Sequence, residues 1–217
     1  MNVILFGASG MVGQAVLREC LLDPGVERVL SIGRREIAQQ HPKLRQIAHQ
    51  NIADLSPIED QLSGYDACMF ALGVSSVGMD EADYRRITYD LTLGAARTLA
   101  RLNPGMTFLY VSGLGTDAGG RSMWARVKGE TENALLQLPF KAAYMFRPGY
   151  IAPMHGIQSK TTLFRVSYAI LGPFTPLIVK FFPKYATTTE VLGRAMIKAA
   201  RQGAPKKVLE SQDINTL

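Results

Sequence analysis

The stretch "VILFGASGMVGQAV" constrains the fold of this chain more than any other part of its sequence. An apolar run at residues 2–6 leads into Gly7, Gly10 and Gly13, and apolar residues at helical spacing follow at once. Glycines in a strand-to-helix turn permit a tight turn, close approach of backbone to a pyrophosphate, and close packing of helix on strand. The amides that open the helix then face an anion. We therefore predict a dinucleotide-binding unit, although any tight strand-to-helix turn also favours glycine.

A second signal follows the next apolar run. An NAD-specific site places a carboxylate at the end of the second strand, where it accepts hydrogen bonds from the ribose 2′-OH. This chain has Arg34 and Arg35 there, and guanidinium groups suit a 2′-phosphate through bidentate, charge-assisted hydrogen bonds. Ser9 adds a loop hydroxyl. We predict NADP(H) rather than NAD(H); the alternative is that the arginines only solvate a helix start, with Glu36 paired to one of them.

Short apolar runs alternate with amphipathic segments along the first 150 residues. The predicted strands are 2–6, 28–32, 43–48, 66–72, 106–112 and 142–146, and the predicted helices are 11–22, 80–102 and 123–138. This alternation indicates an α/β protein with a doubly wound parallel sheet, the Rossmann fold. We predict a single domain over residues 1–217, in which roughly residues 150–190 form a small C-terminal substrate-side lobe or lid. A helix at 188–203 and a strand at 206–210 end the chain.

The composition narrows the classes of protein and partner. A chain of 217 residues, 47% hydrophobic and 19% charged, can bury one sizeable core. Its net charge of +6 favours anionic partners, but the basic residues are scattered, so we expect no nucleic-acid partner. Cys20 and Cys68 lie in apolar runs and are interpreted as buried thiols in a reducing compartment. We predict no metal site.

The apolar segments bear on location. The N-terminal segment has no basic leader, and its apolar run is too short for a signal peptide. The most apolar stretch, residues 163–182, is uncharged only over 166–179 and contains prolines, so it is short of a bilayer span. These features predict a soluble, cytoplasmic monomer or homodimer without a transmembrane segment. If the stretch 163–182 is exposed, it forms a dimer interface or a peripheral contact with a membrane.

Several motifs, taken in order, resemble those of the atypical short-chain dehydrogenase/reductase family over nearly the whole chain. "GASGMVG" resembles the glycine loop of that family and adds Met11 and Val12 to the implied cofactor contacts. "NIADL" resembles its adenine-contact segment, with Asn51 where the family usually has Asp, followed by Ile52. "FALGVS" resembles the turn after the fourth strand, and "FRPGYI" the loop beside the nicotinamide. The resemblance therefore implies further cofactor contacts at Ala71, Leu72, Gly73, Pro148 and Tyr150.

"YVSGLG" and "KGETE" resemble the catalytic segments of the same family. The resemblance implies that Ser112 holds a substrate carbonyl, and that Lys128 binds the nicotinamide ribose and lowers the pKa of a tyrosine four residues earlier. That position is Trp124, whose indole neither ionises usefully nor accepts a proton at physiological pH. The alternative interpretation makes Trp124 an ordinary core or cleft aromatic and Lys128 an exposed lysine paired with Glu132.

The missing tyrosine leaves enzymatic activity open. Replacement proton donors are Tyr84, Tyr89, Tyr150 and His155, none of them favoured by the sequence. The leading hypothesis is an NADP(H)-dependent oxidoreductase that acts on an unidentified small carbonyl or quinone-type substrate. The alternative is a catalytically weak or inactive NADP(H)-binding regulator or scaffold. A nucleotide-sugar epimerase ranks third, because epimerases also use the tyrosine and the C-terminal segment looks small for a nucleotide sugar.

Overall fold

A computed structural model describes residues 1–157, 179 and 181–217. Nine strands lie in these ranges: β1 (Asn2–Phe6), β2 (Arg28–Gly33), β3 (Leu44–Ala48), β4 (Ala67–Phe70), β5 (Thr107–Val111), β6 (Ala142–Arg147), β7 (Tyr150–Ala152), β8 (Ala186–Thr188) and β9 (Val208–Glu210). The α-helices there are α1 (Met11–Leu22), α2 (Glu81–Arg85), α3 (Leu91–Leu102), α4 (Met123–Leu136), α5 (Thr189–Gln202) and α6 (Ser211–Thr216).

Seven of the strands form one parallel sheet in the order β3-β2-β1-β4-β5-β6-β9. The order reverses between β1 and β4, which is the strand arrangement of a Rossmann fold and confirms the predicted doubly wound sheet. Ligands of such sheets bind outside the carboxyl ends of the strands at this reversal. The topology therefore directs attention to the residues that follow β1 and β4.

Two apolar clusters cover the two faces of the sheet. On one face the sheet packs against Val16 and Leu17 of α1 and against Leu192 and Met196 of α5. On the other face it packs against α3 and α4, with Leu99 among the contacts. Strands buried on both sides have continuous apolar sequences, which is why their positions are legible in the sequence. The thiols of the two cysteines are buried within these clusters.

The helix predicted at 80–102 is interrupted. It begins at α2, where the Asp80 carboxylate accepts a hydrogen bond from the amide of Asp83 at 2.8 Å. A π-helical turn at Arg86–Asp90 then separates α2 from α3. The spacing of apolar residues follows the helical period, and a π-helical turn adds only one residue to it. The sequence pattern therefore predicted one continuous helix.

The C-terminal region contains elements that the sequence did not predict. β7 and β8 pair in a separate two-stranded parallel sheet, and α6 follows β9 directly. Strands of three residues are too short to show a period. Most of the stretch 163–182 lies outside the described residues, so the predicted lid stays a prediction. No helix in the described ranges is long and apolar enough to cross a bilayer.

Candidate cofactor-binding site

The glycine loop lies at the reversal of strand order. Gly7 follows β1 with φ of +86°, and a Cβ atom there would lie 2.6 Å from the carbonyl carbon of Ala71 and 2.7 Å from the amide of Leu72. The Ala71 amide also donates to the carbonyl of Phe6 at 3.0 Å. Only glycine permits both this backbone conformation and this contact. The turn after β1 and the turn after β4 therefore form one crevice at the edge of the sheet.

Helix α1 begins against this crevice with free amides. A Cβ atom on Gly13 would lie 1.9 Å from the carbonyl oxygen of Gly7, whereas one on Gly10 would lie 3.4 Å from that oxygen. The first α1 amide with a backbone acceptor is that of Gln14, which donates to Gly10 at 2.8 Å. Gly10 provides no side-chain cap, and the first turn has no acidic residue. Within the described ranges, the amides of residues 11–13 are therefore available to an anion.

The arginine pair follows β2 on the same edge of the sheet. Arg34 and Arg35 are exposed, and neither guanidinium has a hydrogen-bond or ion-pair partner in the part of the chain that the structure describes. The backbone carbonyl of Arg34 accepts a hydrogen bond from the Gln50 side chain at 2.7 Å, which ties this turn to the segment after β3. Glu36 forms no ion pair with either arginine within the same ranges. Both guanidinium groups therefore face solvent without a partner in the described ranges.

The predicted adenine segment lies beside α3. Asn51 is exposed, and its carbonyl accepts from the amide of Asp54 at 3.0 Å, while Ile52 is buried in the core. A Cβ atom on Gly94 of α3 would lie 2.2 Å from the carbonyl oxygen of Ala53. Gly94 therefore positions this segment against the helix. This contact of Gly94 was not predicted, because a single glycine in a helical pattern does not indicate which residue it will contact.

Ser112 directly follows β5. Its amide donates to the carbonyl of Phe146 at 2.7 Å, and its hydroxyl lies 2.9 Å from that of Thr116. Thr116 donates its own hydroxyl hydrogen to the carbonyl of Gly113 at 2.8 Å, so Ser112 donates to Thr116. A substrate oxygen would have to compete with Thr116 for the Ser112 proton.

Helix α4 brings Trp124 and Lys128 to the same end of β5. The Lys128 ammonium lies 3.5 Å from the carbonyl oxygen of Val111 and 5.3 Å from the centroid of the Tyr110 ring. A Cβ atom on Gly115 would lie 3.6 Å from Cη2 of the half-buried Trp124 indole. Ser112, Trp124 and Lys128 therefore border one region at the carboxyl end of β5.

Glu132 does not pair with Lys128. Its buried carboxylate accepts from Nε of Arg147 at 3.0 and 3.1 Å, and the Arg147 guanidinium also lies 3.5 Å from Glu210. The interpretation of Lys128 as an exposed lysine paired with Glu132 is wrong, because Arg147, distant in sequence, occupies that carboxylate. Burial instead lowers the pKa of Lys128 to about 8, and the negative charge of Glu132 opposes part of this effect.

Replacing Lys128 with methionine is expected to remove a pH dependence of stability. The unfolded chain binds more protons than the folded one between a pKa of about 8 and the ordinary value of 10.5, so the wild-type free energy of unfolding should rise with pH across that window. Urea titrations from pH 7 to pH 10.5 on wild type and Lys128→Met measure it. The same replacement at exposed Lys141 is the control, and identical slopes for all three proteins would contradict a buried ammonium.

The alternative proton donors lie in different surroundings. Tyr84 is buried, which raises the pKa of its phenol, and the Tyr89 ring packs 5.3 Å from the Arg85 guanidinium. His155 is held by Glu190 of α5 at 2.6 Å. Tyr150 directly follows the Pro148–Gly149 turn, and its amide donates to the carbonyl of Tyr185 at 2.7 Å. Among the four, Tyr150 stays the candidate nearest the predicted nicotinamide loop.

The loop after β6 is held from three directions. The carbonyl of Pro148 accepts from the Leu114 amide at 3.0 Å, and the amide of Gly149 donates to the buried hydroxyl of Ser211 at 2.9 Å. A Cβ atom on Gly149 would lie 2.3 Å from the carbonyl oxygen of Tyr185. The contacts of Ser211 and Tyr185 with this loop were not predicted, because only the tertiary fold brings these residues to the loop.

The sequence is similar to those of several known proteins. No protein-family model matches the chain. FMP52 of Eremothecium gossypii, which is named as mitochondrial, is 27% identical over 100% of this chain and 97% of its own length. The mitochondrially named fmp52-1 of Aspergillus oryzae is 30% identical over 70% of this chain and 66% of its own length. Rat HTATIP2 is 27% identical over 69% of this chain, which spans only 62% of that protein.

Solved structures show the same fold. An oxidoreductase of the short-chain dehydrogenase/reductase family from Burkholderia thailandensis covers 93% of this chain and 85% of its own, with a TM-score of 0.68 at 14% identity. This chain has the fold of short-chain dehydrogenase/reductase enzymes. DesIV, a dTDP-glucose 4,6-dehydratase from Streptomyces venezuelae solved with NAD and TYD, has a TM-score of 0.70 at 14% identity over 96% of this chain and 74% of its own.

Another solved structure with this fold, WbmF of Bordetella bronchiseptica, was determined in complex with NAD⁺ and has a TM-score of 0.66 at 17% identity, over 99% of this chain and 76% of its own. The residues present fit a dinucleotide: Gly7 and Gly13 leave a cradle that a Cβ atom would fill, and free amides open α1 beside it. The two arginines after β2 add uncommitted positive charge on the same side. The dinucleotide site therefore rests on backbone geometry and on charge together.

The prediction of a cytoplasmic location is wrong. Relatives from four fungi, all FMP52 proteins, are named as mitochondrial. The prediction rested on the lack of a basic leader and of a bilayer span. The names of these relatives overturn it.

Proposed function

We propose that this chain is an NADPH-dependent oxidoreductase that reduces a small carbonyl or quinone-type acceptor. The observation that carries the proposal is the convergence of Ser112 and Lys128 at the carboxyl end of β5, on a fold whose dinucleotide crevice opens at the same edge of the sheet. Ordered side chains with exchangeable protons beside a cofactor crevice are the arrangement that hydride transfer to a carbonyl requires.

The preference for NADPH rests on Arg34 and Arg35. Both guanidinium groups are exposed and unpartnered within the described ranges, so binding a 2′-phosphate would break no existing ion pair. No acidic side chain replaces them at the end of β2 to accept a ribose 2′-OH. The cofactor contacts proposed around them are Gly7, Ser9, Gly10, Met11, Val12, Gly13, Asn51, Ile52, Ala71, Leu72, Gly73, Lys128, Pro148 and Tyr150.

The proposed chemistry assigns separate tasks to the residues at β5. The bound NADPH supplies a hydride. The Ser112 hydroxyl, once it leaves Thr116, donates a hydrogen bond to the acceptor oxygen, and the Lys128 ammonium stabilises the negative charge that develops on that oxygen. The Trp124 indole offers a flat apolar surface against which a planar acceptor can stack. This surface favours conjugated carbonyl compounds or quinones over bulky sugars.

Replacing both Arg34 and Arg35 with alanine is expected to remove the preference for NADPH. Each guanidinium–phosphate hydrogen bond contributes about 1.5–3 kcal/mol, so loss of one from each arginine should lower NADPH affinity by at least about 100-fold while NADH affinity stays the same. The sole tryptophan, Trp124, lies in the proposed cleft, and quenching of its emission measures both dissociation constants. Exposed Arg97 provides a control variant, Arg97→Ala. Equal affinity of the wild type for NADH and NADPH would contradict the preference.

Steady-state oxidation of NADPH with a panel of aldehydes, ketones and quinones tests the oxidoreductase activity itself. Turnover that Ser112→Ala lowers by at least tenfold is the expected result, because the hydroxyl holds the acceptor oxygen. Tight NADPH binding without turnover on any acceptor would instead favour the second candidate, an NADP(H)-dependent regulator or scaffold. Trp124 is the observation that favours this second candidate, since an indole cannot replace the phenol of active family members.

A further inference from the structure

The structure narrows the source of the proton that a reduced carbonyl needs. Trp124 has an N–H donor but no group that exchanges a proton near neutral pH. The Tyr84 phenol is buried, and the Tyr89 ring packs against the Arg85 guanidinium. The His155 ring is hydrogen-bonded to Glu190. A proton donor must lie within hydrogen-bond reach of the acceptor oxygen. The carboxyl end of β5 is the place where such an oxygen would meet Ser112.

The Lys128 ammonium lies at that point and makes few hydrogen bonds within the described residues. Its Nζ lies 3.5 Å from the carbonyl of Val111, the residue directly before Ser112, and this long contact is its one hydrogen bond within residues 1–157 and 181–217. The nearest carboxylate on its own helix is Glu132, which is occupied by Arg147 at 3.0 and 3.1 Å. The ammonium is therefore not neutralised by a direct ion pair, and no carboxylate has to be displaced when it gives up a proton.

The surroundings of Lys128 also suit proton transfer at neutral pH. Burial lowers the pKa of its ammonium to about 8, close to the value at which a general acid is most effective. Within the described ranges, the titratable groups recorded beside it are Tyr110 of β5 and Glu132 of its own helix, and Tyr84 of α2 lies near Tyr110. Burial raises the pKa of both phenols, which keeps them neutral, and Glu132 accepts hydrogen bonds from Arg147.

We propose that Lys128 itself donates the proton in the reduction, in the place of the tyrosine that this chain lacks. The proposal rests on the oxidoreductase function above, in which NADPH supplies the hydride and leaves as NADP⁺. The carbonyl carbon gains that hydride, the π electron pair moves to oxygen, and this oxygen takes a proton from the Lys128 ammonium. One N–H bond breaks and one O–H bond forms. The neutral amine regains a proton from solvent after the alcohol leaves.

The decisive variant is Lys128→Arg, because a guanidinium keeps the charge but does not release a proton at pH 7. Its NADPH affinity is measured by quenching of Trp124, and turnover of variant and wild type is compared at saturating NADPH, so that a change in cofactor affinity does not enter the comparison. Turnover of a ketone should fall at least about 100-fold, the usual contribution of a general acid. Turnover of a benzoquinone should fall less than about tenfold, because the reduced quinone can take its proton from solvent.

A readout independent of turnover is the titration of the amine itself. Competitive acetylation with acetic anhydride from pH 6 to pH 11, followed by mass spectrometry of the peptide that contains Lys128, should give a midpoint near pH 8, with free lysine as the reference at about 10.4. A midpoint at the reference value would overturn the proposal. Ketone turnover by Lys128→Arg at the wild-type rate would also overturn it. The same holds if Tyr150→Phe loses ketone turnover while Lys128→Arg keeps full activity. Absence of turnover in the wild type would defeat the proposed function and this inference with it.

Discussion

Replacing Gly13 with alanine is expected to destabilise the free protein and to weaken cofactor binding by about 100-fold. The new Cβ atom would lie 1.9 Å from the carbonyl oxygen of Gly7 and 2.9 Å from the Cα of Ala8, both backbone atoms that no rotamer change can move aside. The start of α1 must therefore shift. Overpacking of this kind costs about 1–3 kcal/mol. Loss of two amide–pyrophosphate hydrogen bonds, at about 1.5 kcal/mol each, corresponds to binding about 100-fold weaker.

Two matched glycine variants separate steric strain from loss of the phosphate contact. Gly10→Ala places its Cβ atom 3.4 Å from the Gly7 carbonyl oxygen, so it should leave the free protein stable to within about 0.5 kcal/mol and affect binding alone. Gly105→Ala, in the turn before β5, meets no atom within 4 Å and should change neither quantity. Urea titration gives the stability, and Trp124 quenching gives the affinity. Wild-type values of both for Gly13→Ala would contradict the packing described for this loop.

Replacing Glu132 with alanine is expected to cause the largest loss of stability among the ion-pair variants. The side chains of Glu132 and Arg147 are only 2% and 21% exposed, so the change leaves a largely buried guanidinium with Glu210 alone at 3.5 Å. Breaking a buried pair from one side costs about 3–5 kcal/mol. For a protein of this size, each kcal/mol lowers the melting temperature by about 2–4 °C. Thermal unfolding should therefore show a fall of roughly 6–20 °C.

An exposed ion pair provides the control for this change. Arg86 and Asp83 pair on the protein surface with side chains 71% and 56% exposed. Solvent screening limits such a pair to about 1 kcal/mol or less, so Arg86→Ala should lower the melting temperature by no more than about 4 °C. Equal losses for Glu132→Ala and Arg86→Ala would show that the buried pair contributes no more than a surface one.

On α4, one prediction from the sequence was confirmed and another was wrong. The sequence correctly placed Trp124 and Lys128 on one helix, because an i,i+4 spacing puts two side chains on one face whatever the fold. The same rule suggested that Lys128 pairs with Glu132, and this was wrong. The rule describes an isolated helix, in which no competing cation exists. In the folded chain Arg147 reaches Glu132 from the end of β6, and its guanidinium donates to the carboxylate from both Nε and Nη2.

The sequence by itself determined the doubly wound sheet, the glycine loop, and the arginines that follow β2. These features are local: strand and helix periods, turn glycines and charge at a strand end are all expressed within a few neighbouring residues. Only the tertiary structure decided which charges are paired and which are free. His155 pairs with Glu190, Gly149 with Ser211 and Glu132 with Arg147, and half-buried Lys128 has no carboxylate partner among the described residues. Such pairings depend on contacts between distant segments, and sequence spacing carries no record of them.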